Sequence, residues 1–320
     1  MIYKVSIAPM MDRTDRHFRY FLRLMSGELL LYTEMVVAQA VLQGDRQRLL
    51  GFDPREEPLV LQLGGNDPEL LAQAARVGAD WGYDEINLNI GCPSDRVQSG
   101  RFGACLMAEP QRVADSVQAI VAEVNIPVSV KTRIGIDEHE DYGFLRDFIG
   151  QVHTGGCTSF VVHARKAILA GLSPAENRAI PPLKYDRVYR LKADFPDLLI
   201  VVNGGIRDTP AAIAHLQHVD GVMVGRQAYK EPYWVAELAE SLSENKLSMR
   251  PERGQLVSMM ADYAERALGE GARMHHITRH MLGLYAGVPG ARAWRRFVTE
   301  EGRKANAGPE MLVRSLNAFA

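Results

Sequence analysis

Asn87-Leu88-Asn89-Ile90-Gly91-Cys92-Pro93 reads as a buried strand that stops abruptly and presents a thiol on a glycine-proline turn. Seven other apolar runs end on a residue with chemistry or turn character: Pro9/Met10, Glu34, Gln62, Lys131, His163, Asn203 and Gly225. Polar groups placed at one end of many parallel strands are what the carboxyl-terminal face of a barrel enzyme requires. Working outward from that phase, strands are expected near 4–8, 29–34, 58–63, 84–89, 127–131, 158–163, 198–203 and 221–224. Leu198-Leu199-Ile200-Val201-Val202 is apolar on both faces, as a parallel strand covered on both sides must be.

Helix signals lie between these runs. Asp67-Pro68 and Thr209-Pro210 each put a capping side chain before a proline whose missing N–H costs nothing in a first helical turn. Glu109-Pro110 opens another helix, and Gly78 is expected to close the one that Pro68 begins. Eight strand-helix units favour an α/β fold, a (β/α)8 TIM barrel, over a doubly wound sheet. The strand rhythm ends in the polar stretch Ser243-Glu244-Asn245-Lys246, and apolar residues at helical spacing follow in 255–268 and 311–319. The expected domains are therefore a barrel over 1–244 and a small all-α helical domain over 245–320. Two loops at the expected catalytic face are long, 91–103 and 165–182, and long loops there are usually lids or binding loops.

Composition narrows the class. Hydrophobic residues make up 47% and charged residues 24%, an ordinary globular mix. No apolar run reaches membrane-spanning length, and the N-terminus enters a strand directly without the build of a signal peptide. Three cysteines, Cys92, Cys105 and Cys157, lack disulfide or zinc spacing, so no metal is expected and a reducing cytoplasm fits. Residues 241–320 carry 12 Lys and Arg against 8 Asp and Glu, on an otherwise acidic chain of net charge −2. A mildly positive tail suits a polyanion but equally an uneven solvated surface.

Three groups of residues carry candidate chemistry. Asn203-Gly204-Gly205 after strand seven and Gly225-Arg226 after strand eight occupy the places of the usual phosphate cradle of such barrels. Lys131 ends a buried strand, where a lysine forms a Schiff base or holds negative charge on a reduced flavin. Gln62 and His163 hold equivalent places on strands three and six, so the three are expected to ring one pocket. Cys92 is the candidate acid, because a thiol tuned by its surroundings can release a proton near neutrality. Cys105 and Cys157 read as packing residues.

Taken together these residues resemble the tRNA-dihydrouridine synthases. The similarity runs through Ala8-Pro9-Met10, Thr33-Glu34-Met35, Gln62-Leu63-Gly64, residues 87–93, Gly100-Arg101-Phe102-Gly103-Ala104, Lys131-Thr132-Arg133, His163-Ala164-Arg165, Asn203-Gly204-Gly205 and Gly225-Arg226. Met11-Asp12-Arg13-Thr14-Asp15-Arg16-His17 and the stretch Gly171 to Arg178 are similar to the bacterial branch that acts on D-loop positions 20 and 20a. The resemblance implies an FMN enzyme reduced by NADPH (or NADH) that reduces uridine in tRNA to dihydrouridine. Hydride from flavin N5 would go to C6 and a proton from Cys92 to C5. It further implies Pro9, Met10, Gln62, Lys131 and His163 along the isoalloxazine, and Asn203, Gly204, Gly205, Gly225 and Arg226 at the phosphate. Asn89 would position base or flavin.

A uridine within a folded tRNA must be extruded to meet such a pocket, which favours a basic rim. Arg96, Arg101, Arg165, Lys166, Asn177 and Arg178 are the barrel candidates, and Arg292, Arg295 and Arg296 around Trp294 the helical ones, with a core Trp294 on a solvated helix as the plain alternative. A monomer is expected. Rival readings are a flavin barrel enzyme acting on a free pyrimidine such as uracil or dihydroorotate, a Schiff-base aldolase using Lys131, and a tRNA-binding protein with a catalytically inert barrel.

Overall fold

A computed structural model describes residues 3–243 and 250–319, with the side chains of Arg96, Ala318 and Phe319 outside the description. The described residues form nine strands: β1 Val5–Ile7, β2 Leu29–Tyr32, β3 Val36–Val37, β4 Leu59–Gly64, β5 Glu85–Ile90, β6 Val128–Arg133, β7 Ser159–His163, β8 Leu199–Asn203 and β9 Gly221–Val224. Their order is β2-β1-β9-β8-β7-β6-β5-β4-β3, and an additional β2–β4 pairing closes the ring. β2 and β3 both pair with β4 in parallel, so the strand expected over 29–34 is interrupted and resumes one turn later. β1 with β9 and each successive pair from β4 to β9 are parallel too, in registers such as Asn87 beside Ser129 and Asn89 beside Lys131. The closed eight-strand parallel barrel with surrounding helices is the TIM barrel expected from the strand rhythm.

Closure explains the composition of the strands. All six residues of β4 and the last five of β5 are buried, because one face meets the barrel interior and the other the helices. Each fully buried aliphatic side chain there contributes roughly 1.5–3 kcal/mol. On the interior faces Ala8, Tyr32, Val60, Val161, Val201 and Met223 form one apolar cluster.

Two helix boundaries differ from expectation. The helix Pro68–Trp81 begins as read, with the Asp67 carboxylate accepting from the Glu69 and Leu70 amides, but it ends at Gly82 in the left-handed region. Gly78 lies inside that helix, where a Cβ would meet Leu61 Cδ2 at 2.5 Å. Its glycine serves close packing against β4 rather than termination. The helix Thr209–Leu216 is capped by Asp208, whose carboxylate accepts from the Ala211 amide, and Thr209 is already in the first turn.

Packing divides the chain into two discontinuous units. One comprises 1–10, 30–52 and 57–224; the other comprises 11–29, 53–56 and 225–320. The expected boundary at 244/245 lies outside the described residues, and a single cut there does not reproduce this division. The helix Arg16–Met25, which follows β1 in the chain, packs with the carboxyl-terminal helices. Within that unit Arg19 and Glu56 form a buried ion pair at 2.6 Å. The helix Arg253–Gly269 opens with a reciprocal capping box between Glu252 and Gln255.

Candidate functional site

The carboxyl ends of the barrel strands bring the expected residues to one rim. Gln62 lies near the end of β4, Asn89 on β5, Lys131 on β6, His163 at the end of β7 and Asn203 at the end of β8. Alternation makes this automatic: Gln62, His163 and Asn203 stand two residues beyond Val60, Val161 and Val201, which line the interior on the same faces. His163 and Asn203 are register partners. Lys131 Nζ donates to Asn203 Oδ1 at 3.2 Å, and Asn203 Nδ2 donates to the Met223 carbonyl at 2.7 Å. Burial pulls the Lys131 ammonium down to about 7, with repulsion from Arg133 adding to the effect and Cys92 opposing it. Pro9 and Met10 follow β1 and are half-buried.

Cys92 is half-buried on the turn leaving β5. Asn89 builds that turn: its Oδ1 accepts from the Gly91 amide at 3.1 Å and the Cys92 amide at 3.0 Å. Asn89 Nδ2 donates to Gln62 Oε1 at 2.8 Å. The Cys92 thiol lies 3.4 Å from the Ser94 hydroxyl, and the Cys92 carbonyl accepts from the Ala104 amide at 2.9 Å. The other two thiols differ. Burial pushes Cys157 up to about 12 and raises Cys105 as well, so both favour the inert thiol.

After β8 the backbone turns through Gly204 at φ 110° and Gly205 at φ 76°, a region that disfavours side chains. A Cβ on Gly204 would lie 2.5 Å from the His163 ring. The Tyr185 hydroxyl fixes the turn by donating to the Gly204 carbonyl at 2.7 Å. Gly225 and Arg226 follow β9 directly in the chain and belong to the second packing unit.

The basic residues of the two loops fall into different classes. Arg101 and Arg178 are exposed. Arg165 turns inward to the Ala179 and Pro181 carbonyls and so ties down its own loop. Asn177 does not stand on the rim. It is fully buried, accepting from the Ile168 amide at 2.7 Å and donating to the Ile168 carbonyl at 2.9 Å, because the loop polar groups it encloses have no water to bond. Lys166 donates to the Asp137 carbonyl at 2.9 Å. Arg96 sits in the helix Asp95–Ser99, and its side chain lies outside the description.

In the second unit Arg292, Arg295 and Arg296 are exposed on the helix Ala291–Gly302. Trp294 is fully buried, its ring 4.7 Å from that of Tyr285. The tryptophan is thus core, and the arginines form the outer face of the same helix.

Two organising side chains escaped the sequence reading. Arg133, buried at the end of β6, donates to the backbone carbonyls of Gly91 at 2.9 Å, Lys166 at 3.1 Å and Asn177 at 3.0 Å. Gln98 donates to the Pro93 carbonyl at 2.8 Å and the Leu169 carbonyl at 2.6 Å, so it joins the two long loops. The signal for Arg133 was its place two residues after Lys131 on the same face; nothing local marks Gln98. An open cavity of about 730 Å³ beside Asn66, Asp67, Glu109 and Arg112 touches none of the rim residues. Among the described residues no group of His, Cys, Asp and Glu is placed to hold a metal, and no helix is long and apolar enough to cross a membrane.

Comparison with known proteins places this geometry in a family. The barrel resembles a solved 2-naphthoyl-CoA reductase complex with 2-naphthoyl-CoA, at a TM-score of 0.56 over 74% of this chain and 50% of that one. At 10% identity that likeness concerns the fold alone. A Synechocystis protein named tRNA-dihydrouridine(20/20a) synthase is 56% identical over 317 residues, covering 99% of this chain and 95% of that protein. Proteins of the same name from Shewanella oneidensis and Escherichia coli O6:H1 are 56% and 54% identical, covering 96% and 99% of this chain and 91% and 96% of theirs. The family model described as dihydrouridine synthase (Dus) matches residues 6–319. The chain belongs to the dihydrouridine synthase family.

Proposed function

We propose that this protein reduces uridine at D-loop positions 20 and 20a of tRNA to dihydrouridine, with FMN as cofactor and NADPH as reductant. The observation that carries the reading is Cys92, held by Asn89 on a turn at the end of β5 next to a rim of Gln62, Lys131, His163 and Asn203. A thiol, a cation and amide donors at one barrel mouth suit a reaction that adds hydride to one carbon of uracil and a proton to the other.

The residues present fit FMN. Gly204 is required where a side chain would strike His163, and the two left-handed glycines leave backbone open to close approach by a phosphate. Gln62, Lys131 and His163 would face the ring, with Pro9 and Met10 against it, and Asn203, Gly204 and Gly205 would meet the phosphate end. Bound FMN supplies the hydride. Lys131 offers a cation to negative charge at the ring's edge, and its burial makes that charge worth more than in water. Cys92 Sγ carries the proton delivered to uracil C5, and the Ser94 hydroxyl at 3.4 Å orients it. Arg133 and Gln98 keep both loops in place around the thiol.

The substrate uridine must leave its stack to reach this mouth. Arg101 and Arg178 on the loops, and Arg292, Arg295 and Arg296 on the second unit, are the exposed cations proposed to meet tRNA phosphates. The barrel is accordingly the catalytic region and residues 245–320 the tRNA-binding region, acting in the cytoplasm where tRNA is found. The test is dihydrouridine mapped by position in modification-free tRNA incubated with the protein, FMN and NADPH. Product at 20 and 20a supports the reading. Product at other D-loop positions overturns the choice of site, and turnover of free uracil without tRNA overturns the choice of substrate.

A further inference from the structure

The barrel interior holds a polar line that starts at Asn89 and Gln62 and runs on to residues that the proposed chemistry does not use. Asn89 Nδ2 donates to Gln62 Oε1 at 2.8 Å, Gln62 Nε2 to Asn87 Oδ1 at 2.7 Å, and Asn87 Nδ2 to Ser129 Oγ at 2.8 Å. The Ser129 hydroxyl donates in turn to Glu85 Oε1. Asn87 and Ser129 are fully buried and Gln62 nearly so. Glu85 opens β5, four residues before Asn89 on the same face, so the line crosses the barrel from floor to mouth.

Its direction follows from bonding logic. The Gly91 and Cys92 amides can only donate, so Asn89 must turn its oxygen toward them. Its NH₂ then faces Gln62, which must answer with oxygen, and the same requirement passes to Asn87 and Ser129. The Ser129 hydroxyl, already accepting from Asn87, gives its proton to Glu85, with the Tyr32 side chain as a further hydrogen-bonding neighbour. Every donor in the series therefore points to the floor, and an acceptor must stand at its end, the place that Glu85 fills. Hydrogen bonds aligned in this way polarise one another.

We propose that Glu85 is a positioning residue for the reaction at the opposite end of the barrel: as final acceptor it fixes which way the Asn89 and Gln62 amides face, and through them the turn that presents Cys92. The proposal rests on the functional reading only in giving the Cys92 turn its purpose; the chain itself stands on geometry. Burial raises the Glu85 carboxyl to about 7, with Ser129 opposing and Asp84 adding to the shift. Tyr32 from β2, raised by burial and by the same carboxylate, and Cys157 from the turn before β7 are the other titratable groups facing it. Glu85 thus changes charge in the working range, while Glu85→Gln keeps an acceptor oxygen and resembles the protonated acid.

The experiment measures alkylation of Cys92 by iodoacetamide, read by peptide mass spectrometry on the full-length protein, alongside NADPH-driven dihydrouridine formation. Variants are Glu85→Gln, Glu85→Leu and Ser129→Ala. Near pH 6 the wild type and Glu85→Gln should alkylate within about twofold of each other, and at pH 8.5 they should differ by at least about threefold as only the wild type gains charge. Lys131 titrates in both proteins, so it cancels from that ratio. Glu85→Leu and Ser129→Ala, each removing a link, should free the turn and alter the alkylation rate by roughly tenfold. If Glu85→Leu does not fold, Glu85→Gln and Ser129→Ala decide the matter. A wild-type to Glu85→Gln ratio constant across pH, or wild-type alkylation in Ser129→Ala, overturns the proposal. Absence of dihydrouridine from the wild type with the alkylation pattern intact would instead overturn the proposed function and leave the positioning role in place.

Discussion

The barrel interior has two sides built on one strand geometry. Below the mouth residues His163 and Asn203, the inward faces of β1, β2, β7, β8 and β9, with Val60 of β4, carry the apolar cluster of Ala8, Tyr32, Val161, Val201 and Met223. On β4, β5 and β6 the inward residues include Gln62, Asn87, Asn89 and Ser129, joined in a one-way series. The apolar side can be satisfied by any side chains of suitable volume, because dispersion and burial have no direction. The amide side is satisfied in only one arrangement, because each oxygen must meet a donor and a miss leaves a buried polar group unpaired. Stability is therefore concentrated where packing is tolerant, and the orientation of reacting groups where it is not. Cys92 hangs from the strict side.

The largest expected effect lies at the end of that strict side. Cys92→Ala should keep NADPH oxidation by the flavin-loaded protein and lose about 10²–10⁴ in dihydrouridine formation, the usual contribution of a positioned acid. Product at the wild-type rate would remove the thiol from the mechanism. A matched pair of variants separates the two sides. Met223→Ala opens a cavity on the tolerant side and should cost about 2–5 kcal/mol in urea denaturation, with turnover per folded molecule preserved. Asn87→Leu should cost about 1–3 kcal/mol and reduce turnover disproportionately, because Gln62 and Ser129 lose their partner. Equal turnover losses in the two variants would mean that the sides do not differ.

Lys131 offers a sharper test through pH. Its folded pKa of about 7 lies below the ordinary 10.5, so the unfolded chain binds more protons between those values. The fold carries that penalty in full below pH 7 and loses it as pH rises toward 10.5. Lys131→Met should accordingly raise the apoprotein's unfolding free energy, measured by urea denaturation, more at pH 6 than at pH 10, by a gap on the order of a few kcal/mol, while weakening flavin retention. The opposite pH trend would refute the buried-cation assignment. The smallest effect is expected in the second unit. Changing Arg295 and Arg296 together to Ala should lower the slope of log affinity for tRNA against log salt by about 1–2 and leave flavin content unchanged. An unaltered slope would show that these arginines do not meet phosphate.

Much of this was legible in the chain because strand periodicity is a local property. Apolar runs ending on Gln62, Lys131, His163 and Asn203 mark both a parallel barrel and its working end, and the strand positions followed within a residue or two. Capping by Asp67 was readable for the same reason, since cap and amides are neighbours in sequence. Where two nearby residues compete, local reading fails: Asp208 rather than Thr209 takes the cap, and Gly78 is small because Leu61 lies across from it. Asn177 looked like a rim residue because it sits among arginines in a polar loop, yet its amide is enclosed by that loop.

By itself the sequence determined the fold class, the strand order along the chain and the set of polar residues at the barrel mouth, since each depends on side-chain alternation and turn chemistry over a few residues. Only the tertiary structure decided which of those polar groups bond one another. The polarity of the series from the Cys92 turn to Glu85, the clamp made by Arg133 and the assignment of the helix Arg16–Met25 to the second unit all depend on residues far apart in the chain. Hydrogen bonds require distance and direction together, and barrel closure is what sets both.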